Sequence, residues 1–500
     1  MTDKKPSKDF STRLSAAKKW RRNAEPDIKE AVRFCDPGAE HAFKNGKPDG
    51  NLPSSENFIS LPEELASDLS SDFVTYYTPP EARWMDWEVT TPVPEDQAEA
   101  ILGLVRERED GIFELIESSN YYDVAPQVFL AAASHGTPAM WVDQAHMTQP
   151  VYVEPVPIHE LYVTPGHMGY LDRFRENWIL SDHLKATFDS QDVDLNHDKI
   201  KAKISKPGSY VKLTRGFWLD WSDPASPKWV YEATVDDIAV TPEKQILGPL
   251  AGACPLLVGR FNPRTGRPLG RGPGIKAIPD ILTMDDISEK VLDNMDAALS
   301  PSWWYQDDGV LDVREGFERG TTYPGRAASG APQKLDLSGE VDQGWFTIEQ
   351  LEERLRVAFY QDGPRQRGDT PPSATQWVDE RRRVQKRIGK PSAPLWSELI
   401  YPFVQRIEWI GVQTGKFDQE ITHNGAKLSI TPVSPLQKAQ NQDKVLTTRS
   451  NLDLAVQSSP EGADAFIDFP ATFKKIVDAS GDELLVLKDG DTNEVTPPAS

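Results

Sequence analysis

Cysteine is nearly absent from this 500-residue chain, with only Cys35 and Cys254, which excludes a disulfide framework and any zinc site built on close cysteine pairs. Long apolar runs are missing too. The longest uncharged stretch, Val124 to Val142, contains Pro126, Gly136 and Pro138 together with Gln127, Ser134, His135 and Thr137; it reads as a buried helix followed by a strand, not as a bilayer span. No apolar segment of signal-peptide type follows the basic N-terminus, so the expectation is an unsecreted, intracellular protein with no membrane partner. Positive charge is in deficit as well. Against 77 acidic residues stand 55 Lys and Arg, a formal charge of -22, which argues against a general nucleic-acid binder because phosphate neutralisation needs a basic footprint. Only the first 22 residues run the other way, with Lys4, Lys5, Lys8, Arg13, Lys18, Lys19, Arg21 and Arg22 set against Asp3 and Asp9. That arm suits contact with nucleic acid or an acidic neighbour, or simply a frayed terminus or surface helix.

Catalytic signatures are also missing. The eight histidines are scattered, none in HExxH or at metal-ligand spacing, so no metal and no cofactor are expected. Asp489, Asp491 and Asn493 imitate the start of a calcium loop, but Glu494 stands where the turn needs Gly, and Ser500 where a bidentate Glu is required. Neither a GxSxG elbow nor a cysteine-nucleophile signature is present. The Arg367-Gly368-Asp369 tripeptide has no extracellular setting to give it meaning.

What the chain has is proline, 41 residues, gathered in connectors such as Thr78-Pro79-Pro80 and Thr91-Pro92-Val93-Pro94, so many short elements joined by stiff turns are expected. The length suits two to four core-bearing units. Helices are predicted over Leu14–Arg33, Pro62–Tyr76 and Glu95–Glu109, each with a start signal. Strands follow over 140–142, 151–153, 161–163, 170–178, 210–221, 229–235 and 256–261, from their β-branched and aromatic bias. This middle third is read as β-rich with one helical insert.

The segment FNPRTGRPLGRGPGIKAIPDI then resembles a phosphate loop and departs from it: Gly270, Gly272 and Gly274 run into Ile275, Lys276 and Ala277, without the Gly-Lys-Ser/Thr that serves phosphate and Mg²⁺. It opens a helix over Ile275–Leu299. At about 100° per residue, Ile281, Met284, Ile287, Val291, Leu292, Met295, Ala298 and Leu299 form one face, and Asp285, Asp286, Glu289, Asp293 and Asp296 form a carboxylate stripe opposite. Taken alone, that stripe is an ordinary solvated face. A Gly/Pro-rich stretch to Gly344 carries Trp303, Trp304 and Tyr305 at its start and Trp345 at its end, a docking surface or a small core with equal claim. A second amphipathic helix is predicted over Thr347–Tyr360, opened by a Thr347/Gln350 capping box. A polar loop with Arg365 and Arg367 follows, then a long helix that breaks near Gly389 to Pro394 and kinks at Pro402. A helical module near Pro435 to Val477 precedes the tail.

This order of elements resembles the portal, or head-to-tail connector, proteins of short-tailed, T7-like bacteriophages over roughly residues 13 to 480. The motifs that carry the resemblance are LASDLSSDFVTYYTPPEARWMDWE, AAASHGTPAMWVD, VPIHELYVTPGHMGYLDRFREN, LGRGPGIKAIPDI, SPSWW and ELIYPFVQRI. The resemblance implies an α+β portal fold with a mixed α/β wing, helical stem, small α/β clip and helical crown, assembled as a ring. It implies an arm and wing over 1–275, stem helices over 276–299 and 346–361, and a clip over 300–345. A tunnel loop over 362–374, a kinked wing helix and return segment over 375–434, a crown over 435–480 and a flexible tail over 481–500 complete the division. The implied protein is a non-enzymatic homo-dodecamer at one capsid vertex, the channel for packaging and ejection of double-stranded DNA. Its implied partners are the terminase large subunit, a tail adaptor, and the major capsid and scaffolding proteins, with assembly in the host cytoplasm. On that pattern Asp285, Asp286, Glu289, Asp293 and Asp296, with Arg365 and Arg367, face the DNA channel, and Trp303, Trp304, Tyr305 and Trp345 dock terminase and adaptor. The stripe equally suits pairing with a neighbouring subunit's basic residues. Competing expectations are another virion structural or tail adaptor protein, and a nucleotide-dependent enzyme using the Gly-rich turn.

Overall fold

The computed structural model describes residues 5–39, 57–81, 83–89, 98–146, 149–188, 193–206, 208–299, 303–304, 333–334, 341–362, 387–418, 422–423, 426–427, 430–433, 448–452, 472–473 and 476. Within them the chain is α+β, as expected. The helix α1 (Lys8–Cys35) is capped by Ser7, whose hydroxyl accepts from the Phe10 amide at 3.1 Å, satisfying one of the unpaired donors of the first turn. The next, α2 (Leu61–Tyr77), opens with Pro62 and the acids Glu63 and Glu64, where a missing N–H costs nothing and the helix dipole favours negative charge. Then come strand β1 (Asp86–Val89) and the helices α3 (Ala98–Glu117) and α4 (Tyr121–Ser134).

Two sheets follow. One is antiparallel and three-stranded, order β10-β2-β3, from β2 (Ala139–His146), β3 (Gln149–Pro155) and β10 (Leu256–Val258). The other runs β4-β5-β6-β7-β8, from β4 (Leu161–Pro165), β5 (Leu171–Leu180), β6 (Tyr210–Asp220), β7 (Lys228–Val235) and β8 (Ile238–Ala239), with β9 (Gln245–Pro249) also pairing β7. The helical insert expected here is two short helices, α5 (Leu184–Thr187) and α6 (Asp198–Ile204), between β5 and β6. The two sheets share an apolar core that includes Trp141, Leu161, Phe217, Tyr231 and Leu256. Charge is buried within it. Arg215 lies 3.9 Å over the Trp141 ring, and Arg175 reaches Glu154 and Glu160 at 2.5 and 2.8 Å.

The larger core is helical. It gathers Leu69 and Phe73 of α2, Phe129 of α4, Ile281 and Met284 of α7 (Pro273–Leu299), and Leu351 and Leu355 of α8 (Val341–Ala358), with Leu399, Phe403 and Ile407 further along. The last three belong to a helical run that is continuous from 387 to 413, ending in α9 (Tyr401–Gln413). The break expected near Gly389 to Pro394 does not occur. The chain instead forms a π turn at Trp396–Ile400, immediately before Pro402. Proline cannot donate, and widening the preceding turn absorbs the mismatch without ending the helix. A late strand over Ile430–Val433 returns to pair antiparallel with β1, bringing this segment back to the N-terminal half.

One cation ties α9 to β2 and to the loop between β9 and β10. The buried Arg406 guanidinium donates to the carbonyls of Val142 at 3.0 Å and of Gly252 and Ala253 at 3.1 Å, and to Asp143 at 3.1 Å. Burial pulls its pKa below the usual guanidinium value, yet every arm has a partner, the condition on which a buried charge is tolerated. Replacing Arg406 with Met strands three buried carbonyls, so chemical denaturation of the purified chain is expected to show a loss of about 3 to 5 kcal/mol. A loss within about 0.5 kcal/mol would show that this junction does not depend on it.

Candidate functional site

The glycine-rich turn is the place where three parts of the chain meet with no room for side chains. A Cβ on Gly270 would lie 1.9 Å from the Gly136 carbonyl oxygen, and one on Gly272 or Gly274 would lie 2.5 Å from that of Ser134. The fit is mutual. Gly136, at φ +82°, ends α4, and a Cβ there would come within 2.2 Å of the Gly272 nitrogen. Backbone hydrogen bonds replace the missing side chains: Phe261 N–H to Gly136 at 2.8 Å, Arg271 N–H to Phe261 at 2.8 Å, Gly259 N–H to Pro138 at 2.9 Å, and Gly270 N–H to the Thr137 hydroxyl at 3.0 Å. On its other side the connector meets the long helix, where Arg260 grips Glu398 at 2.5 and 2.9 Å and Gly259 leaves space for Leu399. The amides that a phosphate loop would turn to a ligand are in part spent inside the protein.

His135 beside this crossing is wholly buried, and burial pushes its pKa down to about 3. Its Nδ1 accepts from the Thr137 amide at 3.2 Å, so it is a neutral packing residue. Both thiols are buried and shifted up by burial, which leaves neither poised as a nucleophile. Among the described residues no group of three His, Cys, Asp or Glu is placed to hold a metal ion, and no helix is long and apolar enough to cross a membrane.

From the crossing α7 departs, and α8 packs along it. Ala277, Ile281, Met284 and Val291 are buried, while Asp286, Glu289, Asp293 and Asp296 are exposed on the opposite side, so the sequence-predicted stripe is present on one face. Asp285 is the exception, half-buried and accepting from the Phe58 amide at 2.8 Å, which gives it a local structural role. Asp286 pairs with Lys290 one turn on, at 2.6 Å, and Asp280 ties α7 to Arg354 of α8 at 3.8 Å. Leu292 and Met295, expected on the packed face, are 50% and 42% exposed.

The second helix starts earlier than expected, at Val341 instead of Thr347, so Trp345 lies inside α8 and not at the end of an irregular stretch. The misreading came from Gly344, a glycine that this helix tolerates within its second turn. Trp303 and Trp304 form β11 (Trp303–Trp304), paired antiparallel with β12 (Gln333–Lys334). Tyr305, Arg365, Arg367 and the calcium-loop mimic at 489–493 lie outside the described residues, as do most of the segments at 362–374 and 435–480. From residue 8 the basic N-terminal arm is a surface helix, in which Arg13 pairs with Asp172 at 2.5 Å and Lys18 with Glu176 at 2.6 Å while Lys8, Lys19 and Arg22 are exposed. Nothing in the sequence marks Arg406 or Gly252, whereas Gly136 shows there as an interruption of the uncharged stretch.

With this architecture in place, family comparison is decisive: bacteriophage head to tail connecting proteins match residues 7–201 and 239–485. The chain belongs to that family. Among solved structures it is similar to a chain from the virion of a native gene transfer agent particle, at 12% identity and TM-score 0.38, over 78% of this chain and 96% of that one. No curated protein matches it.

The crossing makes a sharp forecast. Gly272→Ala is expected to destabilise the chain by about 2 to 3 kcal/mol through overpacking against backbone, whereas Gly103→Ala, in α3 with nothing within 4 Å, is expected to stabilise it by about 0.5 to 1 kcal/mol. Denaturant titration of both variants reads the difference. Equal effects would mean the crossing relaxes freely.

Proposed function

We propose that this chain is a portal of the T7-like kind, twelve copies of which close into a ring at one capsid vertex and pass double-stranded DNA during packaging and ejection. The observation that supports the reading most is the connector-family match across both halves of the chain, which includes the glycine crossing and α7. In this reading α7 and α8 are the stem, and the exposed carboxylates Asp286, Glu289, Asp293 and Asp296 line the lumen, with Asp285 at its margin. Carboxylates repeated around an axis give phosphates nothing to grip, so DNA slides. Arg365 and Arg367 form a weak positive collar at the constriction that holds DNA ends. Trp303, Trp304, Tyr305 and Trp345 belong to the clip, the docking surface for the terminase large subunit during packaging and for the tail adaptor afterwards. The two-sheet region with α1 is the wing, facing the major capsid and scaffolding proteins, and residues 435–480 are the crown. The protein assembles in the host cytoplasm and ends in the virion, with a structural and not a catalytic part to play.

Native mass measurement and negative-stain images of the purified chain are expected to show a closed ring with a central hole. A persistent monomer under assembly conditions would overturn the proposal. With rings in hand, Asp286→Asn, Glu289→Gln, Asp293→Asn and Asp296→Asn together are expected to leave assembly intact and slow packaging severalfold by letting phosphates adhere. Unchanged packaging would remove the stripe from the lumen. Arg365→Ala with Arg367→Ala is expected to impair retention of packaged DNA, and unchanged retention would dismiss the collar.

A further inference from the structure

We infer that α1 is a helix in two mechanical parts, and that its first half, Ser7 to Lys18, is a salt-releasable strap over the outer face of the larger sheet, hinged at Pro26. The two halves belong to different cores. Phe10 and Ala17 form a small cluster of their own with Phe174, Trp218 and Val230, whereas Ile28 and Val32 sit in the core between the sheets and Phe34 and Cys35 in the helical core. Pro26 stands between them on the solvent side. It has no N–H for the Arg22 carbonyl, so the helix lacks one rung where its two attachments separate.

The strap's own attachment is mostly electrostatic. Asp9 pairs with Lys244 at 2.8 Å, Arg13 with Asp172 at 2.5 Å and Lys18 with Glu176 at 2.6 Å; the strap-side members are at least a third exposed, whereas Asp172 and Glu176 are 8% and 16% exposed. The Ser7 amide adds a 3.3 Å bond to Glu232. Pairs with one end in water weaken with ionic strength. The apolar part is small: Phe10 and Ala17, with Leu14 packed beside them. Phe10 meets Phe174 edge-on at 5.7 Å and fits only because residue 216 is glycine, whose added Cβ would reach 2.8 Å from Phe10 and 2.6 Å from Phe174. Release of the strap uncovers an apolar strip of Phe174, Trp218 and Val230 beside Asp172, Glu176 and Glu232, complementary to the basic, amphipathic strap itself. The strap opens by partial unfolding of one element while the rest of the fold stands. The inference does not depend on the portal reading, since it concerns one chain.

Amide hydrogen exchange on the full chain at low salt and at about 1 M salt reads the device. Protection over Phe10–Lys18 is expected to fall about tenfold at high salt, with less than about twofold change over Ile28–Phe34 and β6. Equal changes in both halves, or no change in either, would overturn it. Arg13→Gln with Lys18→Gln is expected to open the strap already at low salt while the melting of the remaining fold is preserved, and strap protection retained in that variant refutes the electrostatic hold. Pro26→Ala restores the missing rung, and the high-salt loss is expected to shrink; an undiminished loss refutes the hinge.

Discussion

The structure turns on a backbone crossing at which glycine meets glycine. Gly270, Gly272 and Gly274 pass so close to Ser134 and Gly136 that no Cβ fits on either side. The close approach does more than save space. It lets Gly259, Phe261 and Gly270 donate hydrogen bonds to the α4–β2 turn while the Arg271 amide closes back on Phe261, and those bonds fix where α7 begins. Arg260 and Gly259 fasten the same connector to the long helix, so sheet, helical core and the departing α7–α8 pair share one joint. A helix launched from such a joint has little angular freedom at its base, because every nearby relaxation route is closed by backbone and not by a rotatable side chain.

Much of this was legible in the sequence where one periodicity dominates. Strands β2 to β7 carry β-branched and aromatic residues, buried at nearly every position of β6 and β7, and their predicted places held within a few residues. The amphipathic count placed the Asp286, Glu289, Asp293 and Asp296 face opposite the buried one. Local pattern failed where distant partners decide. Gly344 reads as a breaker, yet α8 runs through it, and Gly389 to Pro394 reads as a break, yet the run stays helical. Those positions lie in helices whose apolar faces join the large core, and tertiary burial outweighs a propensity cost of about 1 kcal/mol per glycine and about 3 kcal/mol per proline.

The basic arm shows the same limit from the electrostatic side. Counted along the chain, its cations form an isolated positive run and suggest an external polyanion. In three dimensions Asp172 and Glu176 of β5, an interior strand of the sheet, supply the opposite charge to Arg13 and Lys18, so part of the run is internal complementarity between sheet and helix. Sequence charge density reports the field of a segment only after its folded neighbours are known. Arg406 makes the point at higher stakes: nothing in YPFVQRIEWI marks that arginine as the one that turns inward, because its partners are carbonyls supplied by residues more than 150 positions away.

The acidic face of α7 calls for a different kind of explanation, because it works against its own helix. Glu289, Asp293 and Asp296 follow one another at spacings of four and three residues, where like charges on a helix repel by a few tenths of a kcal/mol per pair. They fall in the C-terminal half of α7, where the helix dipole also disfavours negative charge. One lysine, Lys290, offsets part of this by pairing with Asp286. Neither propensity nor packing asks for the rest, since Asp293 and Asp296 are exposed, and asparagine, glutamine or lysine there would cost the fold nothing. Local rules broken without a compensating gain in stability concentrate where a surface has work to do. For a stripe of carboxylates on a helix anchored at its base, in a chain of the connector family, the work we propose is to keep a polyanion from adhering as it passes.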